Sequence, residues 1–468
     1  MQVIQIIKKG DSMERENFGS RIGFILISAG CAIGLGNVWR FPSMVGQYGG
    51  AAFILIYLIF LVIFGLPIMT MEFAVGRASK KTVASAFRTL EKPGAKWHLF
   101  GGVGVVGNYL LMMFYTTVTG WMFAYFVKML KGDFVGQTAT QVSDQFGQLT
   151  SDPVMLVGFM VLAVVLGFLI CSLGLEKGVE KITKVMMLAL LGIISVLAIR
   201  AVTLPGAAEG LKYYLVPDFG RMVEQGIGNV VFAALGQAFF TLSIGMGSMT
   251  IFGSYISRDR RLFGESVIIS LLDTFVAFVA GLVVIPSCFA FGVDPGAGPG
   301  LVFQTLPNIF NQMTGGRIWG ALFFLFMIFA AMSTVIGVFE NIVAFGMEKG
   351  WSRKKSSIIN LVLVIVLSLP CALGFNVLSD IQPFGAGSNI MDLEDFIISN
   401  NILPLGSVVF VLFCTSKKYG WGWKNYVEEA NAGKGLKLPG KLRVYCTFIL
   451  PVILLIVWVQ GYISKFFA

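Results

Sequence analysis

Residues 21–42 read RIGFILISAGCAIGLGNVWRFP, an apolar helical run with Gly30, Gly34 and Gly36 set in its middle. Each glycine weakens a helix by about 1 kcal/mol relative to alanine, so the run is expected to unwind near residues 30–36. Unwinding frees carbonyl and amide groups, and such backbone is tolerated at membrane depth only where it lines a cavity or holds an ion. A second stretch, residues 236–249, GQAFFTLSIGMGSM, repeats the feature, with Gly245 and Gly247 beside the hydroxyls of Thr241 and Ser243. Close packing would account for either set of glycines alone. Two polar, glycine-interrupted spans in one chain point instead to a pair of structural repeats meeting at a midplane site.

The rest of the chain supplies the membrane setting. Its 468 residues are 56% hydrophobic and only 13% charged, too little polar surface to cover a soluble globule of this size. At about 20 residues per crossing, eleven apolar runs emerge, at 20–45, 50–75, 98–130, 154–174, 180–203, 228–255, 264–291, 317–346, 356–376, 393–414 and 442–466. The connections after an even number of crossings carry the basic clusters at 77–96, 177–184, 258–261, 349–355 and 417–443, while the alternate connections are mainly acidic. The positive-inside rule then places the N-terminus in the cytoplasm and the C-terminus outside, as a multi-pass protein of the plasma membrane or cell inner membrane. The first eighteen residues are too short and too charged for a cleavable signal and are expected to be retained.

Composition also excludes functions. The net charge of +10 is divided among short loops facing anionic lipid, which argues against nucleic acid as a partner. His98 is the single histidine and the six cysteines are scattered, so a histidine metal centre or a Ser-His-Asp triad lacks material. No enzyme activity, organic cofactor or obligate protein partner is expected.

Polar residues at span depth mark where an ion and a solute would be held. Asp273, in SLLDTFVAFVAG, is a carboxylate that is costly at that depth unless partnered. Ser333 and Thr334, in FAAMSTVIG, either bond back to their own helix or serve one ion together. Gln237, Glu340 and Asn341 are equally unusual, and Glu72 is either functional or close enough to the inner interface to be hydrated. Arg40 and Asp395 fall near the outer ends of the first and tenth spans, where a pair would close a gate. The connection 292–316, GVDPGAGPGLVFQTLPNIFNQMTGG, reads either as a helical lid folded back on the bundle or as a surface hairpin. Oxygen ligands suit a sodium ion, and the amide ends of a broken helix suit a carboxylate.

The first-span stretch, the following YGGAAFILIYLIFLVIFGLPIMTMEFAVGR at 48–77 and GQAFFTLSIGMG in the sixth span together resemble the neurotransmitter:sodium symporters, especially their bacterial amino acid transporters. The resemblance runs from residue 15 to about 465. It implies an all-α polytopic fold with two inverted five-helix repeats plus an eleventh helix. The chain then divides into a cytoplasmic segment and inner gate (1–19), a first repeat (20–203), an extracellular connection (204–227), a second repeat (228–414), a cytoplasmic loop (415–441) and the eleventh helix (442–468).

The same resemblance implies two sodium sites. The first maps to the carbonyl of Ala32, the amide of Asn37, Thr241 and Asp273. The second maps to the carbonyls of Gly30, Ile33 and Ala330 and the hydroxyls of Ser333 and Thr334. The solute would lie against the unwound Gly30, Cys31, Ala32, Gly34 and Gly36, with Tyr115, Phe240, Thr241, Ser243 and Met246 around it. Tyr115 would bond its carboxylate and Phe240 close over it, although core filling also accounts for Phe240. Relatives often carry Asn where Asp273 stands, and chloride-dependent ones carry Ser where Ala277 stands, so the carboxylate would supply the charge chloride otherwise brings. Proton antiport through Asp273 is a further expectation. The flexible Met246 thioether implies a neutral, hydrophobic or aromatic L-amino acid. Arg40 with Asp395 would form the outer gate under a lid at 299–313. Arg15 with Glu348, Phe18 and Tyr255 would form the inner one, with Phe18 replacing the usual Trp and Glu348 the usual Asp. The competing readings are a sodium-coupled carrier of an amine or osmolyte and a non-transporting solute sensor. The absence of an acidic side chain at Gly30 and Cys31 disfavours an amine lacking a carboxylate.

Overall fold

In a computed structural model of the protein, residues 18–296 and 300–467 are described. Nine helices among them are long and apolar enough to cross a membrane, and the bent pair Arg21–Ala32 and Gly36–Gln47 adds a tenth crossing. The remaining crossing is the sixth, in which Ile227–Thr241 is too short to span alone and Ser248–Tyr255 continues it beyond a break. The two pieces pack along successive halves of the second span, Ala51–Ser79, so together they traverse its depth. The eleven crossings read from hydropathy are therefore all present. Among the described residues, only the first and sixth are interrupted part-way along, where the glycines are.

Local chemistry explains both breaks. Ser20 caps the first helix, its Oγ accepting from the Gly23 amide at 2.9 Å. Ile33 is extended at φ −69°, ψ 94°, which turns the carbonyls before it away from the helix axis. The chain then re-enters a helix bent by 57° from the first. In the sixth span the break is held by left-handed backbone at Ser243 (φ 50°), Gly245 (φ 105°) and Gly247 (φ 80°). A β-carbon on Gly245 would stand 2.9 Å from Leu403 Cα, so only glycine fits that approach.

The bundle has a buried centre and a lipid-facing shell. Protein covers 83% of the eighth span's apolar segment (Gly316–Glu348) and 72% of the third's (His98–Lys131), against 22% for the eleventh (Leu442–Phe466). Broken backbone lies among the central helices, where neighbours satisfy what lipid cannot.

The connections carry more structure than hydropathy suggests. The 292–316 stretch forms helix Leu306–Gln312 preceded by a wider turn at Leu301–Thr305, with Leu301, Val302, Phe303, Leu306, Ile309 and Phe310 buried. Phe303 sits among Trp39, Trp121 and Tyr125, and its carbonyl accepts from Tyr125 Oη at 2.8 Å, so the hairpin alternative is set aside. Helices Ala207–Leu215 and Phe219–Glu224 occupy the connection after the fifth span. Helix Trp423–Ala430 lies within 415–441, which is thus a structured element rather than a plain loop.

Candidate functional site

The break of the first span meets the eighth span at a cluster of oxygens. Ser333 Oγ lies 2.7 Å from the Gly30 carbonyl, 2.9 Å from that of Ala330 and 3.5 Å from that of Ile33. Thr334 Oγ1 lies 3.2 Å from the Cys31 carbonyl and 3.4 Å from those of Gly30 and Ile33. Even with the Ser243 hydroxyl, which reaches the Cys31 carbonyl, three hydroxyl protons meet four converging carbonyls, and the surplus of lone pairs suits a cation. All five residues expected at the second sodium site come together here, and Cys31 contributes a further carbonyl.

A second cluster joins the first, sixth and seventh spans. Asp273 is fully buried, with Oδ1 accepting from Asn37 Nδ2 at 2.8 Å and Oδ2 from Thr241 Oγ1 at 3.2 Å. No Lys or Arg is paired with it among the described residues, so the carboxylate charge lacks a counter-ion from the protein. Either a cation beside it or a proton on it would neutralise such a buried group. The structure gathers Asn37, Thr241 and Asp273, whereas Ala32 reaches this region as a wall of the adjoining cavity.

That cavity is small, about 20 Å³, room for a single water. Ala32, Gly34, Gly36, Tyr115, Phe240, Ser243 and Met246 of the expected solute residues line it, joined by Leu35, Leu111, Leu403 and Thr334. Gly30 and Cys31 stand behind it and offer backbone rather than side chain, while Thr241 turns to Asp273. Tyr115 Oη accepts from the Leu35 amide at 3.0 Å, tying the third span to the broken helix. Ser243 Oγ donates to the Cys31 carbonyl at 3.4 Å, tying the two breaks together. Gly36 is required by the approach of Phe240, whose ring would stand 2.9 Å from a β-carbon there.

Above Phe240 opens a cavity of about 590 Å³ with Arg40 on its wall, and Phe240 and Leu403 line both spaces. Phe240 is thus the partition between a large vestibule and a small inner pocket. The expected Arg40–Asp395 pair is not made. The Arg40 guanidinium instead lies 4.6 Å from the Phe240 ring centre, and Asp395 accepts from Ser399 Oγ at 2.7 Å. This cation–π contact stands in place of the ion pair.

At the opposite end Arg15 lies outside the described residues. Glu348 accepts from the amide of Thr82 at 2.7 Å and its hydroxyl at 2.9 Å. Phe18 packs edge-on against Tyr255 at 5.6 Å, as an aromatic plug would. Tyr255 Oη donates to Glu340 at 2.7 Å, and Arg353 grips the same carboxylate at 2.7 and 3.0 Å. Arg353 reads in sequence as one of many cytoplasmic charges, and only tertiary structure singles it out. Glu72 is not hydrated at an interface. It is fully buried and accepts from the amides of Gly245 at 2.5 Å and Met249 at 3.1 Å, bracing the sixth-span break. Asn341 pairs with Asn108 at 3.1 Å, a third-span residue that a lone polar position in an apolar run could have flagged.

Comparison with known proteins accounts for this arrangement. The sequence matches the sodium:neurotransmitter symporter family over residues 15–145 and 133–466. The chain belongs to that family. It is accordingly a sodium-coupled transporter and not an enzyme. It is similar to the uncharacterized sodium-dependent transporter YhdH of Bacillus subtilis, 35% identical over 86% of this chain and 87% of that one. A second relative, an uncharacterized sodium-dependent transporter of Haemophilus influenzae, is 30% identical over 96% of this chain and 99% of its own. Among solved structures, MhsT in complex with L-phenylalanine superposes with a TM-score of 0.85 at 37% identity, covering 96% of this chain and 100% of that one. The all-α, inverted-repeat fold expected from sequence is the fold of this symporter.

Proposed function

We propose that this symporter carries a neutral, hydrophobic or aromatic L-amino acid into the cell with sodium, by alternating access and without chloride. The pocket below Phe240 carries the reading. Its walls are backbone of two helix breaks, the Tyr115 hydroxyl and apolar side chains, with no charged side chain on them. Backbone amides and Tyr115 would take the carboxylate, unwound carbonyls the ammonium, and Met246, Leu111 and Phe240 the side chain. The phenylalanine held by MhsT, a protein similar along nearly the whole chain, supports the same solute class.

Two sodium ions would accompany it, one at Asn37, Thr241, Asp273 and the Ala32 carbonyl, the other at Gly30, Ile33, Ala330, Ser333 and Thr334. Ala277 brings no hydroxyl beside Asp273, whose carboxylate would supply the charge a chloride would otherwise bring. The distribution of basic loops supports a cytoplasmic N-terminus and an external C-terminus in the plasma or inner membrane, with repeats at 20–203 and 228–414. Outer closure would bring Arg40 from Phe240 to Asp395, and inner opening would separate Phe18 from Tyr255.

The test is uptake by the purified protein in proteoliposomes, with radiolabelled neutral amino acids and an inward sodium gradient. Accumulation lost when potassium replaces sodium, but kept when gluconate replaces chloride, is the expected result. No accumulation of any neutral amino acid by folded, inserted protein would overturn the substrate class and turn attention to osmolytes and amines.

A further inference from the structure

The third and eighth spans diverge at one end and leave an open groove of about 560 Å³. One wall is the last turns of His98–Lys131, with Phe126 and Leu130 one turn apart; the other is the first turns of Gly316–Glu348, with Ile318, Leu322 and Leu325. These positions follow helical spacing, so each helix offers a continuous apolar stripe. Leu130 and Ile318 are 47% and 65% exposed, which marks the groove as facing lipid rather than another helix. In a bilayer such a furrow cannot stay empty. Water would find almost no polar partners in it, and a void would forfeit the dispersion contacts of its walls.

One polar side chain stands at the rim. Arg317 is exposed, sits one residue inside its helix and donates from Nη2 to the carbonyl of Leu130, which fixes the guanidinium across the mouth of the groove. Unlike Arg21, Arg77, Arg258 and Arg353, it has no carboxylate partner among the described residues. A guanidinium at the end of an apolar span lies at headgroup depth, and its planar fork matches the phosphate diester.

We propose that this groove is a phospholipid site, with an acyl chain laid between Phe126, Leu130, Ile318 and Leu322 and the lipid phosphate held by Arg317. The inference needs only the membrane setting and is independent of the transported solute. Arg317 also borders the base of the 306–312 helix through Phe310 and Asn311, so a bound lipid would brace the foot of the lid.

Native mass spectrometry of the full-length protein, delipidated and titrated with palmitoyl-oleoyl phosphatidylglycerol, tests it. Arg317→Gln is expected to weaken the tightest lipid adduct at least tenfold, and Ile318→Trp, which fills the groove, to do the same. Both positions are exposed, so melting temperature and size-exclusion profile should match wild type. Equal lipid retention by wild type and both variants would overturn the proposal. So would a homodimer that both variants abolish, since the groove would then belong to a second copy.

Discussion

Asp273 is buried with no Lys or Arg paired to it among the described residues, and the proposed first sodium ion would supply its counter-charge. Asp273→Asn keeps the shape but turns a charge-assisted contact with Asn37 into a neutral one, a loss of about 1 kcal/mol. The sodium concentration for half-maximal uptake is expected to rise tenfold or more, measured with a sodium titration in proteoliposomes; an unchanged value would remove Asp273 from the first site. Glu394 is the contrasting case. It is 4% exposed, and the one hydrogen-bonding neighbour found for it among the described residues is the weak thiol donor of Cys371. Replacing a buried, poorly satisfied polar group by an apolar residue of similar volume removes a desolvation penalty of about 1–3 kcal/mol. Glu394→Leu should therefore melt at or above the wild-type temperature, and a clear fall would mean that the Cys371 contact outweighs the cost of burying the carboxyl group. Asp273 could be singled out from hydropathy because it interrupts an apolar run. Glu394 could not, since it lies between Asp392 and Asp395 and only packing turns it inward.

At the scale of elements, the two breaks are maintained by different means. The first span relies on extended backbone at Ile33 and on hydroxyls of the eighth span. The sixth relies on left-handed glycines and on Glu72, which takes two amide hydrogens from the break. Gly245→Ala would set a β-carbon against Leu403 Cα at 2.9 Å in backbone that disfavours it. Uptake should fall to background while the protein still reaches the membrane, as judged by surface labelling against uptake rate. Glu72→Gln offers one acceptor for two amides and should lose about 1–3 kcal/mol of stability; a melting temperature equal to wild type would show that the break is held otherwise. The glycines made both breaks legible beforehand. The brace was not, because Glu72 is remote in sequence from the sixth span and its partners are main-chain groups common to every residue.

At the scale of the molecule, connections far apart in sequence are pinned together at the end of the second span. Arg77 is wholly buried and donates from Nε to Glu429 at 2.7 Å, from Nη1 to the carbonyl of Arg260 at 2.6 Å and from Nη2 to that of Glu429. Arg258 reaches the same carboxylate. One ion cluster thereby joins the second span, the connection between the sixth and seventh, and the helix Trp423–Ala430. Glu429→Ala strands a buried guanidinium and is expected to cost about 3–5 kcal/mol. The double variant Arg77→Met with Glu429→Leu should recover most of that loss in thermal unfolding; a double variant as unstable as the single one would mean that the cluster acts through its carbonyl contacts rather than its charge pair.

Hydropathy and glycine placement by themselves determined the eleven crossings, the two interruptions and the standing of Ser333 and Thr334 as adjacent hydroxyls at span depth, because each depends on local composition. A helix must be apolar to cross, and a break must be glycine-rich to bend. The tertiary structure alone decided that Phe240 separates a large vestibule from a small pocket, that Arg40 rests on that ring rather than on Asp395, and that Glu72, Glu340 with Arg353, and Arg77 with Glu429 are the buried braces. Such pairings depend on which distant segments meet, and a carboxylate's spacing along the chain carries no record of the amide or guanidinium that will face it.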